Sequence, residues 1–240
     1  MKISNVMDRV LFALSVPTCV CCKTRLIYRQ KAFCPKCSAE FKEFKSRNCS
    51  KCAKLLHQCD CSTEYLSAHY VNRVIKCYRY LTRDEMLPGN AIIFSLKRDN
   101  RSDVLEVCAD ELASAICNSI SNPEEYIFTN VPRRKAAIIE HGIDHSALLS
   151  QAIANKLGAE YIPILSSNAK KEQKSLETAD RFNNADFYID RDIDLTGKGV
   201  IIVDDIITTG ASISKAASLI RSLGSKNIVA ATLGIAYKDN

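Results

Sequence analysis

The stretch Val200-Ile201-Ile202-Val203-Asp204-Asp205-Ile206-Ile207-Thr208-Thr209-Gly210-Ala211-Ser212 decides the fold. Its apolar start predicts a strand over 199–203 that is buried on both faces, because a half-buried strand would alternate apolar and polar residues. Two carboxylates arrive at the carboxyl end of that strand. A loop of Thr, Gly and Ser then opens a helix over 211–223, which Gly224 stops. Such a loop aims backbone N–H groups and hydroxyls at a phosphate, and the helix N-terminus adds a favourable dipole. Adjacent acids at a strand end suit the hydroxyls of a ribose, or Mg2+ through water. Either half alone is an ordinary strand, turn and acid-capped helix. Together, in this order, they are specific.

Working outward, strands and helices alternate. An apolar run over 126–131 leads into Pro132-Arg133-Arg134-Lys135. Residues 144–157 have helical spacing at Leu148, Ala152, Ile153 and Leu157, with Gly158 as the stop. A short strand is expected over 161–165, a long polar loop over 166–186, and a last strand over 227–235. Upstream, Asp103 reads as the N-cap of a helix to about Ile120 that buries Val104, Val107, Leu112, Ala115 and Ile116. Pro88-Gly89 reads as a turn, and 70–81 as strand or mixed structure. This alternation indicates an α/β fold with a doubly wound parallel sheet. Ligands of such sheets lie at the carboxyl ends of the strands.

The cysteines mark a second module. Nine of the 12 fall in the first 61 residues, eight of them as Cys19-x-x-Cys22, Cys34-x-x-Cys37, Cys49-x-x-Cys52 and Cys59-x-Cys61. A C-x-x-C turn points two thiolates at one tetrahedral ion, so eight ligands make two Zn2+ sites. Sequential pairing puts Cys19, Cys22, Cys34 and Cys37 on one ion and Cys49, Cys52, Cys59 and Cys61 on the other. A crossed pairing is the second way of sharing them. Cys21 is left over, and His57 is a substitute ligand only if a cysteine is not used. A redox C-x-x-C is the rival reading, against which stand four consecutive pairs. The segment has too few large apolar residues to fold alone, so metal binding would supply its folding free energy. The boundary is expected at 62, with a small metal module over 1–62 and the α/β domain over 63–240.

Composition bounds the rest. The chain has 240 residues, 47% apolar, with 33 Lys+Arg against 27 Asp+Glu for a formal charge of +6. Eight zinc-bound thiolates and two divalent ions remove four of those charges and leave +2, so net charge argues weakly for nucleic acid. The local pattern is stronger: Lys23, Arg25, Arg29, Lys31, Lys36, Lys51 and Lys54 lie between the ribbon's cysteines. No run approaches the ~18–20 apolar residues of a membrane span. Asp8 and Arg9 interrupt any signal-peptide core. No membrane insertion is expected, and the protein is expected to be cytoplasmic. Residues 2–14 have the spacing of a short amphipathic helix.

The motif at 200–212 resembles the phosphoribosyl-pyrophosphate (PRPP) motif of type I phosphoribosyltransferases. The whole chain is similar to the ComF/GntX family, which joins a double zinc ribbon to such a domain. Three further pieces carry the resemblance: Phe94-Ser95-Leu96-Lys97; Val131-Pro132 followed by His141-Gly142-Ile143-Asp144-His145; and Gln173, Leu176, Arg181, Asn184 and Phe187 before the motif strand. The resemblance implies a type I phosphoribosyltransferase-like sheet after a zinc ribbon. It implies that Asp204 and Asp205 bind the ribose hydroxyls of PRPP. Thr208, Thr209, Gly210, Ala211 and Ser212 would cradle its 5′-phosphate. Val131, Pro132, Arg133, Arg134 and Lys135 would face pyrophosphate, and 166–181 would be a cover offering Lys170, Lys171, Lys174 and Arg181. Such cations with Mg2+ offset charge on a departing pyrophosphate.

Two departures follow. Most family members are similar to Arg-Gly-Phe-Asn-Gln where this chain has 141–145, with only the glycine identical. Hypoxanthine-type relatives carry an acid at the position of Thr208, and threonine cannot take a proton from a purine, which disfavours that chemistry. The resemblance associates the chain with handling single-stranded DNA alongside competence proteins. The alternatives are an active phosphoribosyltransferase with an unknown acceptor and a PRPP sensor without turnover. A monomer or a dimer fits.

Overall fold

The computed structural model describes residues 17–49, 52–59, 61, 64–80, 87–133, 142–167 and 187–236. The expected helix over 2–14 lies outside them, as do Lys51, Arg134, Lys135, His141, Lys170, Lys171, Gln173, Lys174, Leu176, Arg181 and Asn184.

Five parallel strands form the main sheet: β1 (Arg73–Tyr80), β2 (Ile127–Asn130), β3 (Glu160–Tyr161), β6 (Gly199–Ile207) and β7 (Asn227–Ala236), in the order β1-β7-β6-β2-β3. A separate antiparallel pair joins β4 (Leu165–Ser167) to β5 (Phe187–Ile189). The helices are α1 (Pro35–Lys45), α2 (Glu64–Ser67), α3 (Pro88–Arg98), α4 (Ser102–Cys117), α5 (His145–Leu157) and α6 (Ala211–Ser222).

The continuous apolar runs split by the strand's two-residue period. In β6, Ile201 and Val203 enter one core while Val200, Ile202 and Ile207 enter the other. In β7, Val229, Ala231 and Leu233 face the first, and Ile228, Ala230 and Ile235 the second. The first core is closed by α3, α4 and α5, and the second by α6 and Leu66 of α2. The sheet is thus doubly wound, as the sequence implies. The chain leaves β2 through α5 toward β3, and leaves β6 through α6 toward β7 on the other side. The order therefore reverses between β2 and β6, and ligands of open α/β sheets lie at the carboxyl ends of the strands beside such a switch point.

Several local expectations are corrected. Pro88-Gly89 does not turn the chain; Pro88 takes the first helical position of α3, where its missing N–H costs nothing, and Phe94-Ser95-Leu96-Lys97 lies inside that helix. Asp103 is not the cap of α4 but sits in its first turn, with Arg101 as N-cap. The strand expected over 161–165 is two strands, one pairing with β2 and one with β5, so Ser166 and Ser167 are strand rather than loop. In α5, Leu148 is exposed and the buried face is His145, Ser146, Leu149, Ser150, Ile153 and Ala154. Small residues bring this helix close to the sheet, and the Ser150 hydroxyl donates to the Thr129 carbonyl at 3.1 Å. Asp144 is the true cap of α5, accepting from the Ala147 N–H at 3.1 Å, and Gly158 closes it in the left-handed region.

The cysteine module is not a separate body. Val20, Leu26, Phe33, Phe41 and Phe44 belong to the same core as Tyr78, Ile92 and Leu112. Phe41 and Phe44 meet Tyr78 at ring-centroid distances of 5.7 and 5.9 Å. Asp103 reaches across to accept the Ala32 N–H at 2.9 Å, and Arg101, paired with Asp103 at 2.7 Å, donates to the Thr18 carbonyl at 2.6 Å. Removing Asp103 leaves a fully buried backbone N–H unsatisfied and frees Arg101. Asp103→Ala is therefore expected to cost about 2 kcal/mol in denaturant unfolding. An unchanged midpoint would show the clamp to be idle.

Candidate functional site

Arg133, just past β2, meets Asp205 of β6 at the switch point. The Val131 N–H bonds the Val203 carbonyl at 3.1 Å, which carries the β2–β6 pairing up to the acids. Pro132 and Arg133 follow, with Asp144 beside them: its Oδ2 lies 3.4 Å from the Arg133 N–H and 3.5 Å from Asn130 Nδ2. The His145 ring bonds the Asn100 side chain at 2.7 Å and is buried at the start of α5. Asp144 and His145 thus act in the framework around the loop.

The two acids have different surroundings. Asp205 is 5% exposed, and both its oxygens are taken. Oδ1 pairs with Lys97 Nζ at 3.1 Å and Oδ2 with an Arg133 terminal nitrogen at 3.1 Å. Asp204 is half-buried and accepts the Asp205 N–H on Oδ1 at 2.9 Å. Burial and then the Asp205 charge push the Asp204 carboxyl up to about 8, with Lys97 and Arg133 acting in the opposite direction. Lys97, which its sequence motif marked only as a family feature, is thus a site cation from α3. Nothing in spacing along the chain pairs it with Asp205.

After β6, residues 208–210 bend into α6. Gly210 has φ +88°, and a Cβ there would sit 2.6 Å from Leu66 Cγ, so both conformation and space require glycine. Thr209 Oγ1 accepts the Ala211 N–H at 3.3 Å. The N–H groups of Ser212 and Ile213 lie in the first turn of α6, where a helix offers no internal acceptor. The bend, these donors and the helix dipole suit an anion. Gly210→Ala is expected to lower the thermal midpoint by several degrees, a cost of about 1–3 kcal/mol from strain and the Leu66 clash.

The cysteines gather in the sequential sets. The Sγ atoms of Cys19, Cys22, Cys34 and Cys37 lie within 4.8 Å of one another, as do those of Cys49, Cys52, Cys59 and Cys61. The two knuckles share one backbone pattern. The Cys19 N–H bonds the Thr24 carbonyl at 2.8 Å and the Lys23 N–H bonds the Cys19 carbonyl at 3.1 Å. The Cys49 N–H bonds the Lys54 carbonyl at 2.7 Å and the Ala53 N–H bonds the Cys49 carbonyl at 2.9 Å. Lys23 and Ala53 both have positive φ, and each knuckle closes with a bridge, Thr18 to Arg25 and Asn48 to Leu55. Burial pushes the Cys59 thiol up to about 12 and raises Cys37, while hydrogen bonds from Thr24 hold Cys22 down to about 6. Buried thiols are costly to ionise without a cation, and four sulfurs at this separation fit a tetrahedral Zn2+. Cys21 stays outside the set, with burial pushing its thiol up to about 12.

Residues 143–236 match the family model of the phosphoribosyl transferase domain. Over 200 residues the chain is 24% identical to competence protein ComFC of Streptococcus pneumoniae, covering 81% of this chain and 84% of that protein. It is 41% identical over 87 residues to a ribose-phosphate pyrophosphokinase of Pyrococcus abyssi, a match to 36% of this chain that spans only 26% of the kinase. Among solved structures, an adenine phosphoribosyltransferase is similar at 18% identity and a TM-score of 0.42, covering 58% of this chain and 74% of that one. The family match makes residues 143–236 a phosphoribosyl transferase domain. Two four-cysteine clusters precede that domain, and the likeness to ComFC runs through both parts of the chain. No described helix is long and apolar enough to cross a membrane.

Proposed function

We propose that this chain binds PRPP with Mg2+ at the β2–β6 switch point and handles single-stranded DNA in competence-type uptake, with two structural Zn2+ ions in its cysteine clusters. The observation that carries the ligand reading is the placement of the Asp204 carboxyl, two cations and a glycine-bent loop around one switch point. Asp204 is the acid with oxygen lone pairs left for ribose hydroxyls or a hydrated cation. Asp205 anchors Lys97 and Arg133 beside it. Thr208, Thr209, Gly210, Ala211 and Ser212 cradle the 5′-phosphate. Val131, Pro132 and Arg133, continued by Arg134 and Lys135, face the pyrophosphate, and Lys170 and Arg181 belong to the cover. Hard carboxylate oxygens fit Mg2+, which when bound would neutralise pyrophosphate charge.

The DNA part rests on the ComFC likeness and on the cations of the cysteine module, where Lys23, Arg25, Arg29, Lys31, Lys36 and Lys54 lie among the described residues. Titrating PRPP with Mg2+ into zinc-loaded protein, then measuring single-strand binding by anisotropy with and without PRPP, tests both parts. Saturable PRPP binding and salt-sensitive DNA binding are expected. Absence of DNA binding at low salt removes the second part and leaves the first.

A second reading is turnover. In this reading Lys97 and Arg133, both paired with Asp205, would offset charge on a departing pyrophosphate, and the protein would be a phosphoribosyltransferase with an unidentified acceptor. Pyrophosphate release from PRPP in the presence of bases and amines separates it from a sensor that binds without product.

A further inference from the structure

Lys76 is the buried ionisable group that the proposed PRPP site does not use. It lies in the middle of β1, in register with Thr232 of β7, and is 0% exposed. An ammonium removed from water is costly unless an anion stands close by. Its Nζ donates to the Cys59 carbonyl at 2.7 Å and to the Cys61 carbonyl at 2.6 Å. Both acceptors are neutral, and among the described residues no carboxylate pairs with it.

Immediately behind those carbonyls is the second cysteine cluster, packed on Leu56 with Cys49 and Cys59 buried. Four neutral thiols would offer Lys76 no compensation. Four thiolates around one divalent ion carry a net charge of −2 by stoichiometry. Among the described residues the first cluster has no such buried neighbour: Lys23 Nζ donates to the Val20 carbonyl from a solvent-exposed residue.

We propose that Lys76 is the positioning cation of the second metal centre. Its buried ammonium offsets one of the two negative charges of a tetrathiolate centre and fixes the backbone of two ligands, Cys59 and Cys61, to the sheet. This rests on the reading that the cluster binds Zn2+. It ties occupancy of that centre to edge strand β1, and it makes the two centres unequal.

The test uses the full chain with Lys76→Met, which keeps length and loses charge. Wild type is expected to carry two Zn2+ by metal analysis. The variant should keep the first ion and lose about 10–100-fold in affinity for the second against a competing chelator. After Co2+ substitution, the thiolate-to-metal charge-transfer band of one site should shift while the other is unchanged. Two ions held with wild-type affinity and an unchanged spectrum would overturn the proposal. Wild type binding no second ion would overturn both the proposal and the zinc reading beneath it. Should the variant not fold, side-chain 15N spectra of wild type decide the matter. A protected lysine ammonium signal should be present with two equivalents of Zn2+ and vanish when the second centre is emptied; its absence from the loaded protein overturns the assignment.

Discussion

Asp204→Asn is expected to abolish PRPP binding and at the same time to stabilise the protein at neutral pH. The two effects share one cause. Burial and the neighbouring Asp205 charge hold the Asp204 carboxyl near 8, against 3.8 for an ordinary aspartate. The folded state therefore holds this proton more tightly than the unfolded chain. The sign follows from linkage: this group's contribution is fully present below about 4, and is lost as pH rises to about 8. At pH 7 an amide removes that penalty, a gain on the order of 1–2 kcal/mol after allowing for partial solvent access. Urea unfolding of wild type and variant at several pH values measures it. The stability difference should grow from pH 4 to pH 8 and then level off. In the same window wild-type affinity for PRPP with Mg2+ should rise with pH, because the carboxylate is the form that accepts hydroxyl protons or a cation. A variant that binds PRPP like wild type would remove Asp204 from the site.

Loss of the first metal centre is expected to unfold far more than loss of the second. Cys37→Ser removes a ligand from a cluster whose surroundings, Val20, Phe33, Phe41 and Phe44, are continuous with the sheet's core. Zn2+ binding to such sites contributes roughly 10–16 kcal/mol in isolated modules, against a domain stability of roughly 5–15 kcal/mol. Phe41 and Phe44 pack on Tyr78 from this module, so loss of an ion that organises it would expose one side of the main core. Cys61→Ser disturbs a small satellite core of Cys49, Leu56 and Cys59, and should leave the first ion bound and the sheet folded. Metal content, circular dichroism and thermal unfolding of the two variants distinguish these outcomes. Equal damage from both would mean that the first module is no more part of the domain than the second.

The sequence carried the fold because β6 and β7 are buried on both faces, which writes a continuous apolar run into the chain, and because Gly158 and Gly224 punctuate the helices. It carried the cysteine clusters because C-x-x-C spacing is itself the geometry of a knuckle. What it did not carry is what tertiary packing decides. Leu148 matches helical period as well as Leu149 does, and only the docking of α5 on the sheet selects Leu149. The unequal acids follow from Lys97 arriving from α3, a contact with no signature in local spacing. The expected boundary at 62 rested on cysteine density, whereas Phe33, Phe41 and Phe44 join the first module to the domain's core from residues that look like ordinary ribbon filling.

The most direct test of the ligand site is a crystal structure of the zinc-loaded protein grown with PRPP and Mg2+. The account predicts the 5′-phosphate over residues 208–212, the ribose hydroxyls toward Asp204, and the pyrophosphate beside Arg133 and Lys97. PRPP bound elsewhere, with that site holding only solvent, would contradict it.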